Sequence, residues 1–153
     1  MSTPGHEWLC RSIVENAPEA VIFADREGTI RLWNAGAGAM FGYTAEEALG
    51  QSLDIIIPEN LRGRHWGGYN RVMATGETRY GKDLLAVPGI RKDGTRISLE
   101  FSIVMLSGED GQLIGPAAVL RDVTARWKKE KELKDRLAAL EGEPPKRRAS
   151  SSG

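Results

Sequence analysis

Apolar positions recur along this chain with two periods, and the switches between them outline the fold. In His6–Asn16, Trp8, Leu9, Ile13 and Val14 fall at helical spacing. This predicts a short amphipathic helix ended by Pro18. Ala20–Asp25 is a brief apolar strand. Arg26-Glu27-Gly28 forms a turn with Gly28 at positive φ, and Thr29–Trp33 alternates and pairs back as a second strand. Asn34 is placed to cap a helix over Ala35–Phe41, which Gly42-Tyr43-Thr44 breaks. Thr44 with Glu47 three residues on forms a capping box for a second short helix closed by Gly50. Leu53–Ile57 is an apolar turn.

The longest helical stretch runs from Pro58 to about Thr75, with Gly76 as its stop. Leu61, His65, Gly68/Tyr69, Val72 and Met73 share one face of it, while Arg62, Arg64, Asn70 and Arg71 lie largely elsewhere. That face is apolar apart from His65. Gly67-Gly68 follows almost at once, and each glycine costs about 1 kcal/mol in a helix interior, so the pair implies a close approach to the backbone. An imidazole where a core residue belongs, beside such an approach, points to an axial ligand for a haem iron. The competing reading is a part-exposed helix histidine in a domain that binds nothing.

Strand periodicity returns after Gly76. Arg79–Ile90 reads as a strand whose pairing Pro88 limits, and Asp93-Gly94 marks a hairpin turn. In Arg96–Leu106, Ile97, Leu99, Phe101 and Ile103 share one face. A polar loop over Ser107–Gly111 leads to a last strand, Leu113–Val123. From Thr124 the chain is helical and charged, and Leu133, Leu137 and Leu140 begin a coiled-coil seam. Glu143-Pro-Pro ends it, and the polar tail from Lys146 is expected to be disordered. The predicted organisation is an N-terminal helical cap (1–17), a central α+β domain (18–124), an exit helix (125–142) and a tail (143–153). Trp33, Phe23 and Phe41 are expected in the core, and His6 exposed at the terminus.

Composition narrows the function. With 21 Lys+Arg against 21 Asp+Glu the formal charge is zero, which removes the main argument for a nucleic-acid or acidic-membrane partner. Cys10 is the only cysteine, so an intrachain disulfide and a cysteine-rich zinc site are both excluded, and a reducing cytoplasm is the simplest setting. A Gly-rich phosphate loop, a GxSxG elbow and HExxH are all absent. Enzyme readings therefore fare poorly.

The element order, with Asn16-Ala17-Pro18-Glu19-Ala20, Asp25…Gly28-Thr29-Ile30, Trp33-Asn34-Ala35, Phe41-Gly42-Tyr43, Ile57-Pro58, Arg91-Lys92-Asp93-Gly94 and Asp122-Val123-Thr124, resembles the PAS domain. That resemblance implies an α+β fold: a five-stranded antiparallel sheet with short helices on one face. Arg64-His65, and the spacing from His65 to Asp93-Gly94, resemble the haem-binding PAS domains of oxygen-sensing rhizobial histidine kinases. The resemblance implies haem b with His65 as proximal ligand and Tyr69 beside it. It sets Arg71 and Arg79 near the haem propionates, and Leu99, Phe101 and Ile103 on the distal wall. It also puts Leu85 where that group carries a distal arginine, so CO or NO should gain relative to O2, unless another residue supplies the donor or a second protein ligand such as Met105 closes the sixth position. A flavin photosensor is disfavoured because the reactive cysteine is missing from Gln51-Ser-Leu-Asp-Ile. The implied partners are a diatomic gas, a second copy through the terminal helices, and an output effector. A cofactor-free dimerisation or docking module, or a sensor of another small ligand, is the alternative.

Overall fold

The strands β1 (Ala20–Ala24), β2 (Ile30–Trp33), β3 (Leu85–Ile90), β4 (Arg96–Ser107) and β5 (Leu113–Asp122) form one antiparallel sheet in the order β2-β1-β5-β4-β3. The computed structural model describes residues 4–76 and 85–142, Leu85 by its backbone alone. Five α-helices accompany the sheet among the described residues: α1 (His6–Asn16), α2 (Ala35–Phe41), α3 (Ala45–Ala48), α4 (Arg62–Thr75) and α5 (Thr124–Leu140). Residues up to Asp122 make one unit and those from Val123 a second. Among the described residues, no helix is long and apolar enough to cross a membrane.

Local sequence accounts for most of the boundaries. Asn34 caps α2 by accepting from the Ala37 N–H, and Gly42 closes it in the left-handed conformation. Thr44 and Glu47 complete the capping box of α3. The stretch after Pro58 opens as a 3₁₀ turn over Glu59–Leu61 before α4 begins, and Gly76 ends α4 at φ 75°. Pro88 lies in a strand at the sheet edge, where a missing donor is tolerated. The part of the predicted strand before Leu85, with the tail from residue 143, falls outside the described residues.

The two sheet faces differ. Ala20, Ile22 and Ala24 of β1, Trp33 of β2, Ile97 and Leu99 of β4, and Leu120 of β5 point inward and pack with Phe41, Ala48, Leu53, Ile56, Tyr69 and Met73. Phe101 and Met105 extend this surface. Phe23 departs from expectation. The alternation of β1 turns it outward, opposite Leu32 and Ala117, so it is half-buried on the outer face rather than in the core. Val104, Val119 and Leu106 are also exposed on that outer face.

One polar side chain is buried among the core residues. Asn34 accepts from the Val21 N–H at 2.8 Å and donates to the carbonyls of Val14 at 2.8 Å and Glu19 at 3.0 Å. It thereby joins α1, β1 and α2 (α1 itself has no fully buried residue). In the second unit, α5 carries Leu133, Leu137 and Leu140 exposed, and the Lys131 ammonium lies 5.4 Å from the Trp127 ring centroid.

Candidate functional site

The site is built on α4 and the β1–β2 turn beneath it. Tyr69 and Met73 are the buried residues of α4, one helical turn apart, and His65 stands one turn before Tyr69. His65 is half-buried on this face, as its spacing predicts. Its ring lies 4.8 Å from Trp66 in an edge-on arrangement and 5.7 Å from Tyr69. Both neighbours have their own anchors. The Trp66 indole N–H donates to Asp54 Oδ1 at 2.7 Å, and the Tyr69 hydroxyl donates to the Asp25 carbonyl.

Gly28 explains why the helix sits so close. It adopts φ 80°, and a Cβ there would stand 2.0 Å from Trp66 Cη2, too close for the ring to stay where it is. The tight turn is itself fixed by the Asp25 carboxylate, which accepts from the N–H groups of Glu27 and Thr29 at 3.0 Å and from Arg31 at 2.9 Å. Glycine is therefore required on the turn rather than on the helix. Gly67 and Gly68 are exposed and have open space around them among the described residues. No described part of this chain makes the close approach read from that pair.

His65 Nδ1 is buried without a hydrogen-bond partner. An orphaned polar atom of this kind is uncommon in a native fold and calls for an explanation. Burial pushes the imidazole's pKa below its ordinary value, and the nearby Asp54 charge only partly opposes this. The ring is therefore held neutral, the form in which a nitrogen lone pair can bind a metal. Burial, with the charges of Asp25 and Glu27, pushes the Tyr69 phenol upward, so it stays a hydrogen-bond donor.

The remaining expected site residues divide into three groups. Leu99 is buried on the inner face of β4, and Phe101 and Ile103 follow it on that face, half-buried. Met105 also lies there, packed against the core. Arg71 is exposed on α4. Arg79 falls outside the described residues, and of Leu85 only the pairing with Phe101 is described. Val87 and Leu99 pair directly, so their side chains leave the sheet on one face, yet Val87 is 37% exposed and Leu99 only 2%. Among the described residues, the inner face is thus less covered at Val87 than at Leu99. Sequence reasoning missed Trp66, Asp54 and Asp25, which hold the imidazole's surroundings. The Asp-x-x-Gly spacing of the turn was the one available signal.

A family model for the PAS fold matches residues 14–128. The chain belongs to the PAS family. This PAS domain is 32% identical over 131 residues to Sensor protein FixL of Bradyrhizobium diazoefficiens, covering 85% of this chain and 25% of the relative. It is 30% identical over 131 residues to the signal transduction histidine-protein kinase AtoS of Escherichia coli, covering 84% of this chain and 19% of that one. The chain thus spans a quarter or less of these relatives. Among solved structures, a PAS domain from Colwellia psychrerythraea aligns with a TM-score of 0.69 at 22% identity, covering 79% of this chain and 99% of the other. The PAS domain of BvgS from Bordetella pertussis aligns with a TM-score of 0.61 at 18% identity, covering 87% and 97%. These structural likenesses carry the fold. The PAS assignment and the sensor-kinase context agree with the resemblance read from the motifs.

Proposed function

We propose that this PAS domain is the input module of a cytoplasmic sensor of the histidine-kinase type, that it binds haem b through His65, and that it senses a diatomic gas. The observation that carries the reading is the buried, unpartnered Nδ1 of an imidazole held neutral on the core-facing side of α4. The donor chemistry fits the group: a neutral imidazole as ligand, with the apolar inner face of β4 as a wall. Bound there, haem would supply reversible coordination of O2, CO or NO.

The chain's own residues would do the rest. His65 supplies the metal ligand, and Trp66 and Tyr69 restrict its ring. Leu99, Phe101 and Ile103 keep water from the ligand side. Arg71 and Arg79 would be the cations for the propionates, and Leu85 would offer a bound gas no hydrogen-bond donor. The Thr124–Leu140 helix carries the signal, through pairing in a homodimer, to an effector outside this chain. The enzymatic step belongs to that effector rather than to this domain.

One observation favours a second reading. Trp66 and Tyr69 already lie against the His65 ring, as they would in a cofactor-free docking or dimerisation module, or in one that takes another small ligand. An absorption spectrum separates the two. Protein reconstituted with haem should show a Soret band that shifts with CO, and His65→Ala should lose it. A wild-type spectrum without a Soret band, or one unchanged in His65→Ala, overturns the haem reading.

A further inference from the structure

Arg26 is the side chain that the site as described leaves unused. It projects from the β1–β2 turn into the open groove lined by Met73, Ala74, Thr75, Gly76, Gln112 and Leu113. Its Nη1 donates to the Leu113 carbonyl at 2.8 Å, and its Nη2 lies 3.5 Å from the Met73 carbonyl. Met73 belongs to the last turn of α4, whose carbonyls have no partner within the helix and carry the negative end of its dipole. Leu113 is the first residue of β5. Its side chain lies 3.5 Å from where a Cβ on Gly76 would stand, so it also abuts the helix end.

We propose that Arg26 is a positioning residue that couples the end of α4 to the start of β5. The guanidinium has two nitrogens in a fixed fork, and here each faces a carbonyl of a different element. The turn that carries it is also where α4 bears down, through Trp66 on Gly28 and Tyr69 on Asp25. A displacement of α4 therefore reaches β5 at Leu113 without crossing β3 or β4. β5 is the central strand of the sheet, and its far end is Asp122, immediately before the exit helix. The use of this coupling in signalling rests on the sensor reading above. The coupling itself does not, and it can be measured without any ligand.

The test is a double-mutant cycle read by native-state hydrogen exchange on the full chain. Ala74→Gly loosens the last turn of α4 at an exposed position, by about fivefold in local opening on helix propensity alone. With Arg26 present, the amides of Leu113, Ile114, Gly115, Ala117 and Ala118 should lose protection together with those of α4, while those of Ile30–Trp33 hold. In the Arg26→Gln background, α4 should loosen as before and the β5 amides should no longer follow. A merely structural arginine would lower protection in all regions alike and leave the response to Ala74→Gly unchanged. An equal β5 response in both backgrounds, or none in either, overturns the proposal. The Soret measurement on His65→Ala is independent, so loss of the haem reading and loss of the coupling are separate results.

Discussion

Replacing Asn34 with alanine should be among the most damaging single substitutions in this domain. The side chain is 5% exposed and makes bonds to three elements. Its Oδ1 accepts from the N–H groups of Val21 at 2.8 Å and Ala37 at 2.9 Å. Its amide nitrogen donates to Val14, Glu19 and, at 3.4 Å, Ala17. Alanine leaves both N–H groups without an acceptor, and a buried donor left unpaired costs about 1–3 kcal/mol. The helix-cap contribution is already contained in the Ala37 bond and is not added again. Because the Val21 bond is only part-buried, water can recover some of the loss, so we expect about 3–4 kcal/mol in total. For a chain of this size that is about 10 °C in Tm. Urea unfolding followed by tryptophan fluorescence and far-UV circular dichroism, with the m-value checked for constancy, measures it. Asn34→Asp is the sharper control. It keeps both accepted bonds but sets a carboxylate against three carbonyls, which favours its protonated form in the folded state. Its deficit relative to wild type should therefore shrink as pH falls through the carboxyl range. A loss below about 1 kcal/mol for Asn34→Ala, or an Asn34→Asp deficit independent of pH, would refute the account of Asn34 as the tie between α1, β1 and α2.

Four further outcomes are expected. Gly28→Ala should destabilise by about 2–4 kcal/mol, because it strains a residue at φ 80° and displaces the Trp66 ring; thermal unfolding reads it. Since burial lowers the folded-state pKa of His65, the unfolded chain takes up this proton first. Stability should thus be full above the ordinary histidine range, fall as pH drops through it, and level off below the folded value; His65→Gln should flatten that slope in pH-dependent urea titrations. Trp66→Phe removes both the indole N–H that Asp54 Oδ1 accepts at 2.7 Å and the outer ring edge that meets Gly28, so a loss of about 1–3 kcal/mol and a shift in the His65 imidazole titration by NMR should appear together. Leu137→Lys should abolish self-association in sedimentation without changing the unfolding midpoint of the sheet unit, since Leu137 is exposed on α5.

Local chemistry was legible in the sequence, and long-range chemistry was not. Asn34, the Thr44–Glu47 box and the Gly76 stop each act within four residues, and each boundary followed from them. The alternation of β4 placed Ile97, Leu99, Phe101 and Ile103 on one face because the strand period admits no other arrangement. The same rule, applied to β1, would have turned Phe23 outward, but aromatic bulk outweighed it in the reading. His65 was found because it interrupts an apolar stripe. Trp66 was not, since it sits one residue off that stripe and its partners, Gly28 and Asp54, lie far away in the chain.

The pairing of Ala20 with Leu120 has a wider consequence. The chain enters the sheet on β1 and leaves it on β5 at the same end of two adjacent strands. Their backbones are there about 5 Å apart, the ordinary separation of antiparallel partners. A domain tethered in this way adds almost nothing to the span between the segments on either side. It can be spliced into a longer polypeptide as a bead on a string, and a pull on those two tethers would peel β1 from β5 one rung at a time instead of shearing the whole ladder at once.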